Sequence, residues 1–211
     1  ADDRRRAGGV GGMSGPEIAI AVASHARPLR LRWLLNALDE QTLERHRWEL
    51  VVAHDSGPDS ETEELLASHP VVDRHLTFTG TRGPAELRNA AWRATTAPGV
   101  AFTDDDCRPP AEWLERALAA ARPDAIVQGA TRPDPDEAAL LRAPHPRTVT
   151  IDPPTAQAQT CNIVYPRAVL EALGGFDADE LPLCAGEDTD LAWRARERGV
   201  PLVGAPEVLT Y

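Results

Sequence analysis

The chain predicts an α/β domain with a mostly parallel central sheet flanked by helices. Two observations carry this. Up to Gly129, short apolar segments alternate with amphipathic helical ones, strand then helix, five strands and four helices in turn. Such alternation builds parallel sheets through right-handed crossovers. The main apolar segments also end in polar clusters, Ser24-His25, His54-Asp55 and Asp104-Asp105-Asp106. Open sheets of this kind bind ligands beyond the carboxyl ends of their strands.

Ile18 to Val22 is the first strand, with small residues that allow close helix packing. Pro28 suits a first helical turn, and Leu31, Leu34, Leu35 and Leu38 then form one apolar face. Glu49 to Ala53 is the second strand. Ser60 and Glu63 make a capping box for a helix reaching about His69. A weaker strand lies near His75 to Phe78, and the loop Gly80 to Pro84 leads into a helix through Leu87, Arg88, Ala91 and Ala94. Val100 to Thr103 is a buried strand. A helix from Pro110 presents Leu114, Ala117, Leu118 and Ala121, and Ala125 to Gly129 is the fifth strand.

The second half is less regular. Thr131 to Pro154 is proline-rich with little periodicity, as expected of a long functional loop. Thr160 to Tyr165 is strand-like, and Pro166 to Leu173 is a short helix stopped by Gly174-Gly175. Gly186 to Arg198 is a helix with acids in its first turn, and Pro201 to Tyr211 is a closing strand.

Composition narrows the function. The 211 residues fit one domain, and a formal net charge of -11 argues against nucleic acid or an anionic membrane as partner. An anionic substrate then needs a local arginine cluster or a bound cation. All 22 basic residues are arginine, so the lysine of a P-loop is missing. Cys107, Cys161 and Cys184 are odd in number and widely spaced, which fits neither a disulfide framework nor a zinc site; a reduced, cytoplasmic setting is the expectation. No apolar run approaches the roughly 18 residues of a membrane span. Residues 1–15 read as a flexible tail, whose glycines precede the first strand and so fail the context of a dinucleotide loop.

Three carboxylates in a row are not buried together without partners. At a strand end they suit a divalent metal, which takes oxygen ligands and bridges to phosphates. The same run also fits a solvated loop capping the next helix.

Several motifs, in order, resemble the family 2 glycosyltransferases of GT-A fold, a Rossmann-like nucleotide-diphospho-sugar transferase architecture. Val22-Ala23-Ser24-His25-Ala26-Arg27-Pro28 is similar to the family's base-cradling turn, with His25 where a Tyr is usual and Ala26 where an Asn is usual. His54-Asp55-Ser56-Gly57 is similar to its Asp-Asp-Gly-Ser element, with His54 replacing one acid. Arg88-Asn89, the Asp-X-Asp run at Asp104 to Asp106, Gly174-Gly175-Phe176-Asp177 and Glu187-Asp188 follow in the family's order.

The resemblance implies a nucleotide-binding half at about 16–130 and an acceptor half at about 131–211. It implies an inverting transfer from a nucleotide-diphosphate sugar to an unspecified acceptor hydroxyl. Asp188 is the implied base. Ser24, His25, Arg27, Asp55, Arg82, Arg88, Asp104 and Asp105 are the implied donor contacts. Asp104 and Asp106 are the implied ligands of Mn2+ or Mg2+. Glu187, Trp113 and Trp193 fall on the acceptor side, although both tryptophans also suit core packing. In the family, the last strand commonly ends in a metal-binding histidine, and none of the six histidines here takes that place. A silent nucleotide-binding module of the same fold is the alternative, motivated by His25, Ala26 and His54. An aspartate-based phosphohydrolase using Asp104 is disfavoured by the missing lysine.

Overall fold

The computed structural model describes residues 15–137, 139, 149–178 and 186–211. Cys184 and much of the proline-rich stretch from Thr131 lie outside the described residues. Seven strands form one sheet: β1 (Ile18–Ser24), β2 (Trp48–His54), β3 (Arg74–Thr77), β4 (Gly99–Thr103), β5 (Ile126–Thr131), β6 (Asn162–Pro166) and β7 (Leu202–Thr210). Their order is β3-β2-β1-β4-β6-β5-β7. Pairing is parallel throughout except at β6, which runs antiparallel to both β4 and β5.

Among the described residues, six helices cover the sheet: α1 (Pro28–Asp39), α2 (Glu61–Ser68), α3 (Pro84–Arg93), α4 (Trp113–Ala120), α5 (Arg167–Leu173) and α6 (Glu187–Glu197). Successive strand side chains point to opposite faces, so two cores form. Ile18, Ile20, Val22, Leu50 and Val52 pack with leucines of α1 and α2 and with Trp113 and Leu114 of α4. Ala21, Val51, Val100 and Phe102 pack with α3, α5 and α6 on the other face. Among the described residues, no helix is long and apolar enough to cross a membrane.

The chain builds outward from β1 to β2 and β3, then returns to lay β4 on the other flank of β1. The crevice at such a reversal is where doubly wound sheets take ligands. Val22 pairs with Val52, and Ala21 with Phe102, so the three expected central strands are neighbours.

Two boundaries differ from expectation. The fourth helix begins at Trp113 instead of Pro110, whose carbonyl accepts from Trp113 N–H at 3.0 Å in a turn that precedes the helix. Gln41 from beyond α1 then caps α4, accepting from Leu114 N–H at 2.8 Å. The fifth strand runs on to Thr131 through a register break, from Gly129↔Ala205 to Ala130↔Leu209. A Cβ on Gly129 would stand 2.3 Å from the Val208 carbonyl, so only glycine fits there.

Candidate active site

The acidic run leaves the sheet at Thr103, and its three carboxylates part ways. Asp105 turns inward, 1% exposed, and accepts from Ser24 Oγ at 2.7 Å. Its other oxygen lies 3.1 Å from Arg27 Nη2. Burial pushes the Asp105 carboxyl up to about 6, against the opposing pull of Ser24 and Arg27. Ser24 and Asp105, expected as donor contacts, are therefore a buried bracket between β1 and β4. Asp104 and Asp106 stay partly exposed, on a cleft of about 370 Å3 at the sheet's carboxyl edge. Arg27 pairs with Asp106.

The ends of β1 and β2 meet through His25, whose Nδ1 lies 2.6 Å from Asp55 Oδ1. Asp55 also accepts from the Arg82 backbone N–H at 2.5 Å. Both Asp55 oxygens are thus occupied, while the His25 side chain is 57% exposed. The Arg82 side chain, in the loop before α3, pairs with Glu86 of that helix and lies over Phe78. His54 has left this surface. It is fully buried and pairs with Glu63 at 2.8 Å, which also accepts from Thr77 at 2.6 Å and lies 3.1 Å from His75.

The N-terminus of α6 meets the acidic strand end through Arg88. Glu187 is buried, and Arg88 Nη1 donates to it at 2.6 Å. Arg88 Nη2 donates to Asp104 at 2.9 Å. Burial disfavours the Arg88 charge, but Asp104 and Glu187 together hold its pKa above the usual value. Arg88 was expected to contact phosphate; its guanidinium instead ties the acidic strand end to α6. Asp188 accepts from Thr189 N–H at 2.7 Å, and Thr189 Oγ1 donates to the Gln157 carbonyl at 2.9 Å. Burial pushes the Asp188 carboxyl above the ordinary range, with Glu187 adding to the rise and Arg88 opposing it.

The Gly174-Gly175-Phe176 turn sits beneath this helix. Asn89 brackets Phe176, donating to its carbonyl at 2.7 Å and accepting from its N–H at 3.0 Å. Gly175 has φ +81, and a Cβ there would lie 2.2 Å from Asn89 Oδ1. The Phe176 ring meets Phe102 edge-on at 5.2 Å. Arg194 of α6 donates to the carbonyls of Leu173 and Gly175.

Two expected acceptor-side residues resolve differently. Trp113 is 0% exposed and its indole N–H donates to Asn162 Oδ1 at 2.9 Å, so it is a core residue with no face for a sugar. Trp193 is 65% exposed on α6. The cleft adds residues that sequence patterns did not single out: Arg30, Trp33, Arg108, Arg132 and Tyr211. Arg108 lies two residues past Asp106, and Arg30 and Trp33 are three apart on α1, but only tertiary pairing aims them at the cleft. Arg108 and Tyr211 exchange backbone bonds of 2.6 and 3.3 Å, which seats the end of β7 beside the acidic run.

Among the described residues, no group of three or more His, Cys, Asp or Glu is arranged to hold a metal by itself. Asp104 and Asp106, both partly exposed on one cleft, form a two-carboxylate seat of the kind that Mg2+ completes with substrate phosphates.

The sheet order, with one antiparallel strand and helices on both faces, is that of a GT-A fold. The Glycosyl transferase family 2 model matches residues 19–172, and the chain belongs to that family. The pre-mycofactocin glycosyltransferase of Mycobacterium tuberculosis is 28% identical over 173 residues, covering 76% of this chain and 36% of that protein. Glycosyltransferase AglE of Haloferax volcanii is 24% identical over 106 residues, covering 49% of this chain and 34% of that protein. The chain thus spans about a third of these relatives' length. Among solved structures, the Pyrobaculum calidifontis mannosyltransferase PcManGT, in complex with GDP-Man and Mn2+, superposes with a TM-score of 0.70 at 23% identity. It covers 93% of this chain and 56% of that one. S. aureus TarS 1-349 in complex with UDP gives a TM-score of 0.70 at 19% identity, covering 92% and 59%.

Proposed function

We propose that this chain transfers a sugar from a nucleotide-diphosphate donor to an acceptor hydroxyl with inversion, using Asp188 as base. The observation that carries the reading is the Arg88 bridge, which ties Asp104 of the acidic strand end to Glu187 at the N-terminus of α6. The donor's base lies against His25, oriented by Asp55, and its diphosphate reaches the strand end at Asp104 and Asp106. Asp188, adjacent to Glu187, faces the sugar from the acceptor side. The acceptor oxygen attacks the anomeric carbon, its proton passes to Asp188, and the bond to the diphosphate oxygen breaks. One displacement from the face opposite the leaving group inverts the centre. A carboxylate whose pKa burial has raised is a better base than a solvated one.

A divalent cation, when bound by Asp104 and Asp106, supplies charge neutralisation at the leaving diphosphate. The PcManGT complex with GDP-Man and Mn2+ supports that part of the reading. The complexes of TarS with UDP and UDP-GlcNAc support a nucleotide-sugar donor.

Replacing Asp188 by Asn preserves shape and removes basicity. Turnover should fall by about 10²–10⁴, the usual contribution of a general base, with nucleotide affinity unchanged. A variant with wild-type turnover would move the base to another residue.

A further inference from the structure

We propose that Arg30 and Arg108 form a subsite for a phosphate or carboxylate carried by the acceptor, a subsite now filled by the chain's own acidic segment at 134–137. The proposal rests on the glycosyltransferase reading and adds the chemical class of the acceptor.

Two arginines here hold three carboxylates from one short segment. Arg30 donates to Glu137 at 2.5 Å, and its guanidinium lies 4.8 Å over the Trp33 ring, which fixes its plane. Arg108 donates to Asp134 at 2.7 Å and lies 2.8 Å from Asp136. The Arg108 backbone is pinned by Tyr211, so the guanidinium projects from a rigid base two residues beyond Asp106.

The acidic segment is a partition. On one side is the cleft of about 370 Å3 that holds Asp104 and Asp106; on the other is a cavity of about 660 Å3 along α1. Both are lined by Trp33, Arg108, Asp134, Glu137 and Tyr211. Displacing the segment joins them into one groove leading outward from the reacting end.

Charge and exposure give this arrangement a use. A protein of net charge -11 repels anions in general. An anionic acceptor needs arginines at the reacting end, and Arg30 and Arg108 are the cleft arginines held by this one segment, whereas Arg27 is held by Asp106 and Arg132 by Asp152. The Arg30 and Arg108 side chains are 36% and 37% exposed, and Asp136 is 75% exposed. Ion pairs this open contribute little net stability, so another anion exchanges for them readily. The guanidinium fork takes phosphate or carboxylate in the same bidentate way.

The test is a calorimetric titration of the chain saturated with UDP or GDP, whichever it binds, so that the donor site is filled. The probes are glucose 6-phosphate, glucuronate, inorganic phosphate and neutral glucose. Glucose 6-phosphate and glucuronate should bind at least about tenfold more tightly than glucose, the worth of one charge-assisted contact. Inorganic phosphate binding as well as glucose 6-phosphate would assign the site to the free ion and overturn its acceptor role. Arg30→Gln and Arg108→Gln should each weaken the anionic sugars by about tenfold or more. Asp136→Asn removes a competing carboxylate from an exposed position and should tighten them severalfold. Equal affinity for anionic and neutral sugars, or anion affinity indifferent to all three substitutions, would overturn the proposal. Nucleotide binding in the same experiment keeps the two readings apart, since UDP or GDP binding without anion binding defeats only this inference.

Discussion

Arg88 joins the acidic strand end to the start of α6 through a single side chain. It is 8% exposed and bonded to both Asp104 and Glu187. Removing one partner of a buried ion pair costs far more than the pair contributes, because a charge is left stranded. Arg88→Ala should therefore destabilise the fold by about 3 kcal/mol, read by urea denaturation, and should also lower turnover at saturating donor. An unchanged denaturation midpoint would show that water replaces the guanidinium. Asp188 gives a second prediction, in pH. Burial raises its pKa above the unfolded value of 3.8. The stability lent by the protonated form is complete below 3.8 and is lost as pH rises through the raised folded value. Asp188→Asn should thus match the wild type in strongly acidic buffer and exceed it at neutral pH. Its acid limb in the rate profile should vanish. A wild type more stable than the variant at neutral pH would contradict this.

At the scale of elements, the register break between β5 and β7 is held by one side chain from β6. Asn162 donates to the carbonyls of Ala130 and Val208, both at 2.7 Å, and accepts from Trp113. The break leaves ladder groups unpaired, and Asn162 satisfies them from the neighbouring strand. Asn162→Ala strands two carbonyls and an indole N–H in the core, at about 1–3 kcal/mol for each buried orphan. The variant should unfold at markedly lower urea, with donor affinity preserved in whatever fraction stays folded. A loss below about 1 kcal/mol would mean that water enters the break. At the opposite edge, Glu63 serves His54, His75 and Thr77 together, joining β2 and β3 to α2. That network explains a histidine where the family resemblance places an acid: His54 supports the fold beneath the crevice instead of lining it.

For the whole molecule, a chain of net charge -11 gathers arginines at one cleft, and the proposed reading adds a cation on Asp104 and Asp106 as a second source of positive charge for a diphosphate. Asp106 is 44% exposed and outside the core, so Asp106→Ala should leave the thermal midpoint within a degree or two, as surface substitutions do. It should abolish any gain in UDP or GDP affinity on adding Mn2+ or Mg2+. Metal-dependent binding that survives in this variant would remove Asp106 from the seat. The two cores also act at this scale. α1, α2 and α4 cover the sheet from one face, while α3, α5 and α6 cover the other, α3 carrying Arg88 and α6 carrying Glu187.

Local chemistry determined much of this protein in advance. Alternating apolar segments specified a mostly parallel sheet, and Ser60 with Glu63 specified the start of α2, where Ser60 Oγ accepts from Glu63 N–H. The polar strand ends specified which edge carries the site, because strand periodicity and capping depend on residues only a few positions apart. Partners far apart in sequence were settled only by the tertiary structure. Asp104, Asp105 and Asp106 look equivalent in the chain, yet one bonds Arg88, one Ser24 and one Arg27, at separations of 16, 81 and 79 residues. Trp113 reads equally as sugar platform or core, and Asn162, 49 residues on, decides for the core. The direction of β6, the register break and the arginines of the cleft were likewise hidden. Each depends on which surfaces meet once the sheet has closed its order, and no short-range pattern records that meeting.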